Sequence, residues 1–315
     1  MVDHENCRVS LAELYEMASD SKQGVVIVTG ADGHIGREVC RLLKTSGTKF
    51  LATDVDLGEA SDFVACDLSR KDDVARLFLS QPVRAVIHLA AILPSAFHSH
   101  PLAAADVNLT GCFELLRQAV SSHVKRFVFA SSRSVYGSSV SGRPLTEMDQ
   151  AIPDEPYGAA KRVVELVGEA LAAAQTIEFV SLRIAIVIGP GIKKTASPWR
   201  SQIFQPSSTQ ERINIPFAPE AVLPLVHVED VARMLVALDE TSKPRSSVYN
   251  TPVENWEARS LKEVIENTSG VHVDLSPHGP HGGPLCDGSR FAREFGFQLL
   301  GLRKRLLGAR LTSGT

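Results

Sequence analysis

The sequence of 315 residues has no excess of positive charge: 33 lysines and arginines stand against 36 aspartates and glutamates, for a formal net charge of −3. It lacks the basic field that a nucleic acid backbone requires, so no nucleic acid partner is expected. Paired cysteines are missing too. Cys7, Cys40, Cys66, Cys112 and Cys286 are scattered and odd in number, and no two are spaced as C-x-x-C. They read as buried reduced thiols of a cytoplasmic protein. No apolar run approaches the roughly 18–20 residues that span a bilayer. The opening "MVDHENCRVS" has none of the apolar core of a secretory signal, so no membrane partner is expected. Internal repeats and low-complexity tracts are absent. His98 and His100 in "FHSHP", and His278 and His281 in "HGPHGG", have no carboxylate or cysteine partner pattern, so no metal is expected either.

What is present is an alternation of two periods. Short β-rich runs occur at 25–29, 49–53, 63–66, 85–89, 126–130 and 178–184. Helical patterns fall between most of them, at 34–46, 71–80, 101–122 and 157–175. This predicts an α/β fold: a doubly wound parallel sheet covered on both faces, with its ligand crevice beyond the carboxyl ends of the strands. Residues 1–23 form an extension in which "SLAE", with Ser10 and Glu13, fits a capping box opening a short amphipathic helix. Residues 24–188 then form the dinucleotide-binding domain. From residue 189 the pattern breaks into Pro-, Ser- and Gly-rich sequence, so 189–315 is expected to be a smaller, interrupted, mainly substrate-side region. Within it, the strand and helix patterns of 226–252 return to the first domain.

Directly after the first strand comes "TGADGHIG". Gly30 makes the tight turn, Gly33 lets backbone approach a pyrophosphate, and Gly36 lets the helix pack closely on the sheet. The helix that opens at His34 and Ile35 turns its positive end toward that pyrophosphate. No G-K-[ST] follows, which excludes a nucleoside-triphosphatase loop. The next strand ends in Asp54, whose carboxylate can accept hydrogen bonds from the adenosine ribose and repels a 2′-phosphate. NAD is therefore expected over NADP, although Arg37 could receive a phosphate. Asp67 in "CDLS", with Leu68 after it, stands within reach of the adenine edge or serves a plain turn.

In that order, "TGADGHIG", "CDLS", "IHLAA", "DVNLTG", "FVFASSRSVYG" and "YGAAK" resemble the extended short-chain dehydrogenases/reductases, the group of NAD-dependent sugar epimerases and dehydratases. The likeness spans roughly residues 24–240 and implies a Rossmann sheet. It also implies roles. Tyr157 and Lys161 match the Y-x-x-x-K pair and Ser132 the serine beside them. Leu89, Ala90 and Ala91 match the small residues lining the cofactor, Asn108 the supporting asparagine, and Pro190 the segment closing over the nicotinamide. A homodimer through a four-helix bundle of the 101–122 and 157–175 helices is implied as well.

The chemistry explains the residue types. A free tyrosine has a pKa of about 10 and needs a nearby positive charge to act as base near neutrality. Positions i and i+4 share a helix face, which puts Lys161 beside Tyr157. Ser132 can orient the substrate oxygen and stabilise charge on it. The sequence departs from nucleotide-sugar enzymes at two places, with Leu223 where an arginine often meets a phosphate and Ile186 where asparagine is common. The expected substrate is therefore a small polar hydroxy or sugar-acid-like molecule carrying a secondary alcohol or ketone, with a sugar (nucleotide-sugar) epimerase or dehydratase as the alternative. Ser95, Ser132, Thr195 and Arg200 are the substrate candidates, with Lys194 a further source of charge. Trp199 either walls the pocket or sits in the core, and His227 serves structure at a strand end.

Overall fold

The computed structural model describes residues 24–55, 63–138, 142–192, 197–204 and 212–312, with side chains to 307. The expected helix of residues 1–23, and Lys194 and Thr195, lie outside these. Twelve strands are found among the described residues: β1 Val25–Thr29, β2 Phe50–Asp54, β3 Phe63–Ala65, β4 Val83–His88, β5 Arg126–Ser132, β6 Glu178–Ile184, β7 Ile186–Ile188, β8 Arg212–Ile215, β9 Val222–His227, β10 Val248–Asn250, β11 Glu254–Glu257 and β12 His272–Leu275. Seven form one sheet, ordered β10-β6-β5-β4-β1-β2-β3, with every neighbouring pair parallel. Strand order reverses between β1 and β4, so the crevice at their carboxyl ends is where a ligand is received.

The period of two along each strand assigns its side chains to two cores. Val26 and Val28 face the helices His34–Thr45 and Val228–Glu240, and join Val39, Leu43, Val231 and Leu235. Val25 and Ile27 face the other way, toward Leu115, Leu116 and Val164 of the helices Cys112–Ser121 and Pro156–Ala173. A third core, holding Trp199, Ile213, Leu223 and Leu261, sits in a C-terminal lobe built on β7–β9, β11 and β12. Trp199 is thus a core residue. The short strands of this lobe fall where the sequence shows no long periodic run, because strands of three to six residues leave too little alternation to read.

The 101–122 segment is not one α-helix. It runs as Pro101–Ala105, a π-helical turn Asp106–Gly111, and Cys112–Ser121. Gly111 lies against the Leu68 carbonyl, where a Cβ would stand 2.4 Å from the oxygen, and the wider turn carries Asn108 inward. No described helix is long and apolar enough to cross a membrane.

Two buried polar groups fasten the sheet. Arg126, at the start of β5, donates to the carbonyls of Leu238 (3.0 Å), Asp239 (2.8 Å) and Thr241 (2.5 Å), which close the helix Val228–Glu240, and pairs with Glu178 on β6. These are the carbonyls that a helix end leaves without intrahelical partners. Replacing Arg126 with Met keeps the stem but orphans them; the unfolding free energy by urea titration is expected to fall by about 2–4 kcal/mol. On β4, His88 is buried, and its Nδ1 lies 2.7 Å from Thr29 Oγ1. Thr29 Oγ1 also accepts from the amides of Leu89 and Ala90, so the hydroxyl proton is free for Nδ1.

Burial, with the charge of Lys161 added, pulls the His88 pKa down to about 3. An unfolded histidine titrates near 6.5, so between about 6.5 and 3 the unfolded chain binds more protons than the folded one. This contribution to stability is present above pH 6.5 and is lost as pH falls, at up to about 1.4 kcal/mol per pH unit. His88→Phe is expected to flatten the pH slope of the unfolding free energy between pH 6.5 and 5. Equal slopes in the two proteins would show that His88 is not held neutral.

Candidate active site

The glycine loop leaves β1 through Gly30, at φ +68°, a left-handed conformation that glycine adopts without strain. A Cβ on Gly30 would stand 2.7 Å from the Ala90 amide nitrogen, and one on Gly36 only 2.1 Å from the Gly30 oxygen. The loop, the start of its helix and the strand end at Leu89–Ala90 therefore meet backbone to backbone. Gly33 caps the helix without offering a side chain, and the first turn contains no acidic residue. The first amides of that helix are left for a ligand. His34 stands in this turn, with Nε2 buried and hydrogen-bonded to nothing; burial and the neighbouring Arg37 pull its pKa down to about 4. Ile35 packs on the core below.

Asp54 Oδ2 accepts from the Asp32 amide at 3.0 Å and Oδ1 from the Val55 amide at 2.8 Å, which fixes the carboxylate at the end of β2 beside the loop. Asp67 Oδ1 accepts from the amide and hydroxyl of Ser69, so Asp67 closes its own turn, while Leu68 is buried beneath. Arg37 donates to the Gly191 carbonyl at 2.5 Å, tying the loop helix to the Pro190–Gly191 turn after β7. His34, Arg37, Pro190 and His227 line one cavity of about 360 Å³. His227 also accepts from the Glu229 amide as the cap of the next helix. Asn108 holds both sides of the Ile92 peptide, Oδ1 accepting at 2.8 Å and Nδ2 donating at 2.9 Å, and so fixes the Leu89–Ala91 backbone from behind. An uncapped helix start, a cradle with no room for a Cβ, an orphaned imidazole nitrogen and a carboxylate on β2 together fit a dinucleotide.

Ser132, Tyr157 and Lys161 come together where β5 ends. Glu155 caps the helix Pro156–Ala173, accepting from the amides of Tyr157 (3.0 Å) and Gly158 (2.6 Å), with proline at the first helical position. This cap sets the direction of Tyr157. Lys161, one turn on, is buried; its Nζ donates to the Ala130 carbonyl at 2.8 Å and lies 5.7 Å from the centre of the Tyr157 ring. Burial pulls its pKa down to about 8, while Cys112 and Glu165 act against that shift. Burial pushes the Tyr157 phenol well above its ordinary range, Glu155 adds to the shift, and a hydrogen bond with Ser132 opposes it. In the protein alone the phenol therefore stays protonated, and Lys161 does not make it a base by proximity alone.

The substrate candidates lie on separate elements. Ser95 is exposed on the short helix Pro94–Ser99, and Arg200 is half-buried on Trp199–Gln202. Among the described residues no group of three or more His, Cys, Asp or Glu is placed to hold a metal. Three participants escape the sequence reading. Glu155 had a signal, an acidic residue just before a helix-opening proline. Arg133 follows Ser132 and reaches into the C-terminal lobe. Glu165 is fully buried one turn beyond Lys161, where Ser131 Oγ (2.6 Å) and Arg183 Nη2 (2.7 Å) hold it; Arg183 continues to Tyr136 and Asn250. Only the three-dimensional structure reveals that second network.

Comparison with known proteins agrees with this geometry. Residues 26–251 match the model of the NAD dependent epimerase/dehydratase family. UDP-glucose 4-epimerase of Vibrio cholerae is 30% identical over 176 residues, which is 53% of this chain and 53% of that protein. The chain thus spans about half the length of the curated relatives it matches. Among solved structures, L-threonine dehydrogenase from Phytophthora infestans superposes with a TM-score of 0.82 at 21% identity, over 93% of this chain and all (100%) of that one. UDP-glucose 4-epimerase of Thermus thermophilus in complex with NAD gives 0.77 at 22%, over 92% and 99%. At those identities the likeness is one of fold. With a seven-stranded parallel sheet, a glycine cradle and a Ser-Tyr-Lys cluster at the mouth of β5, the chain belongs to the NAD-dependent epimerase/dehydratase family.

Proposed function

We propose that this protein is an NAD-dependent oxidoreductase of the extended short-chain type, acting on a secondary alcohol or ketone of a small polar hydroxy substrate. The observation that carries this reading is the convergence of Ser132, Tyr157 and Lys161 on one spot beyond β5. Bound NAD supplies the acceptor for the hydride. Gly30, Gly33 and Gly36 admit its pyrophosphate, and Asp54 favours the unphosphorylated ribose. Tyr157 takes the hydroxyl proton, and Ser132 orients the substrate oxygen. The buried phenol needs more positive charge than the apoprotein supplies. Lys161, with its pKa near 8, is mostly cationic at pH 7 and contributes part of it.

Leu223 and Ile186 are both buried in the core of the C-terminal lobe, where neither offers a donor to a diphosphate. That supports a small substrate over a nucleotide sugar. A second reading, a sugar or nucleotide-sugar epimerase or dehydratase, is favoured by sequence relatives that are UDP-glucose 4-epimerases. The two differ in net turnover, since an epimerase returns the hydride and accumulates no NADH. A homodimer is supported by Val163, Leu166 and Val167, exposed together on one face of the helix Pro156–Ala173. The buried thiols Cys40, Cys66, Cys112 and Cys286, all unpaired, support a cytoplasmic setting.

Hydroxy acids, amino alcohols, sugar acids and nucleotide sugars, each offered with NAD and with NADP, are expected to yield NADH from a small hydroxy substrate. Tyr157→Phe is then expected to lower kcat/KM by about 10²–10⁴-fold with the NAD dissociation constant unchanged. Unaltered turnover in that variant would remove Tyr157 from the chemistry.

A further inference from the structure

Two guanidinium groups lie near one another on the C-terminal side, one of them on the residue that follows Ser132, and neither has an acidic partner among the described residues. Arg133 follows Ser132 on the turn Arg133–Tyr136. Its Nη1 donates to the Pro284 carbonyl at 3.1 Å and its Nη2 to the Gly282 carbonyl at 2.9 Å. Gly282 and Gly283 are both left-handed, at φ +95° and +78°, and a Cβ on Gly283 would stand 3.1 Å from Arg133 Nη1. The double glycine thus lets the loop of the lobe lie directly on the guanidinium. Arg200 comes from the helix Trp199–Gln202, which Trp199 anchors in the lobe core, and the Arg200 carbonyl accepts from the Gly189 amide at 3.0 Å. Arg200 Nε is buried and hydrogen-bonds nothing. Burial lowers the pKa of both arginines, and the charge of Arg133 lowers that of Arg200 further.

Two cations brought out of water near each other repel, and each loses hydration that neutral carbonyls replace only in part. Such a pair is completed by an anion, and guanidinium matches a carboxylate or a phosphate. Two of the five donors of Arg133 are already committed to the Gly282 and Pro284 carbonyls. The rest of its fork, with Arg200, is available to one small anionic group such as a carboxylate. We propose that Arg133 and Arg200 together receive a carboxylate of the substrate, which makes the substrate class a small hydroxy acid held by its acid group and oxidised at the carbinol beside Ser132 and Tyr157. The proposal rests on the oxidoreductase reading above. The reaction balances as follows: the carbinol C–H leaves as hydride to NAD⁺, its O–H proton passes to Tyr157 and on to solvent, and the products are a keto acid, NADH and one proton.

The test uses the full chain saturated with NAD. Initial rates are compared for 3-hydroxybutyrate, L-threonine and D-glucuronate, each against its neutral methyl ester or amide, with glycerol 3-phosphate and UDP-glucose alongside. A free acid is expected to exceed its neutral counterpart by at least about 100-fold in kcat/KM. Arg200→Met is expected to raise KM for the acid about 10–100-fold with kcat changed far less, and to erase the preference for acid over neutral form. Arg133→Met is expected to do the same, but it also releases the glycine loop, so Arg200→Met decides where the two differ. Calorimetric titration of malonate, with malonamide as control, into the NADH-loaded protein gives a readout independent of turnover. Malonate is expected to bind, and to bind at least 10-fold more weakly to Arg200→Met. The proposal is overturned if malonate does not bind, if both proteins bind it equally, or if the phosphate ester or nucleotide sugar is the preferred substrate. Neutral alcohols oxidised as fast as acids would sink the acid site and leave the oxidoreductase standing. Malonate binding without NADH formation from any alcohol would keep the site and sink the oxidoreductase.

Discussion

A lysine ammonium inside a protein must be held by something, and here the holder is a peptide carbonyl. Lys161 Nζ donates to Ala130 O, over the face of Phe129 and below the ring of Tyr157. The bond crosses from the helix Pro156–Ala173 to the interior strand β5, and so fixes how far that helix is advanced along the strand. Sliding the helix by one residue would strand the charge and carry the phenol away from Ser132. The fully buried Glu165, one turn further along the same helix, reaches β5 and β6 through Ser131 and Arg183 and locks the same relation a second time. A buried ion pair of this kind is weak evidence for stability but good evidence for geometry, since only one alignment satisfies all its donors.

The cofactor side is governed by space rather than charge. Gly30, Gly36 and Gly111 are sites where two backbones approach too closely for any Cβ, and Ala90 is the neighbour that Gly30 touches. The spacing of Gly30 and Gly36 records a three-body contact among β1, the loop helix and the end of β4. Asn108 secures the third body through both hydrogen bonds of the Ile92 peptide. The π-helical turn is the local price of turning that side chain inward while Gly111 lies on Leu68.

These differences in origin explain what could be read in advance. The strands β1, β5 and β6 and the helices 34–45 and 156–173 were legible because apolar periodicity and glycine spacing are local records of packing. The placing of Tyr157 and Lys161 on one helix, four apart, and of Asp54 at the end of β2 was legible because each depends on position along a single element. Arg133 was not. Its meaning depends on Gly282 and Pro284, some 150 residues away. Asp67 had two readings, and its bonds to Ser69 support the turn. The continuous helix expected over 101–122 ignored a steric contact with Leu68 that no periodicity records. The expected effect of Lys161 on Tyr157 left out burial, which raises the phenol together with the charge of Glu155, against a hydrogen bond with Ser132.

Substrate choice follows the same division. On the proposed reading, the sheet and its glycine loop hold the cofactor at a fixed place, and the C-terminal lobe chooses what is brought to Ser132. That lobe buries apolar Leu223 and Ile186 in its own core, and its Arg200 lies within electrostatic reach of Arg133, the residue after Ser132. A long anionic substrate needs charge distributed along its length, whereas a short one needs charge at a single point near the reacting carbon. Two cations close together, with no donor offered by Leu223 or Ile186, are the arrangement that suits the short one under the proposed reading. The fold can be shared with enzymes of either kind because it does not decide this; the few side chains of the lobe do.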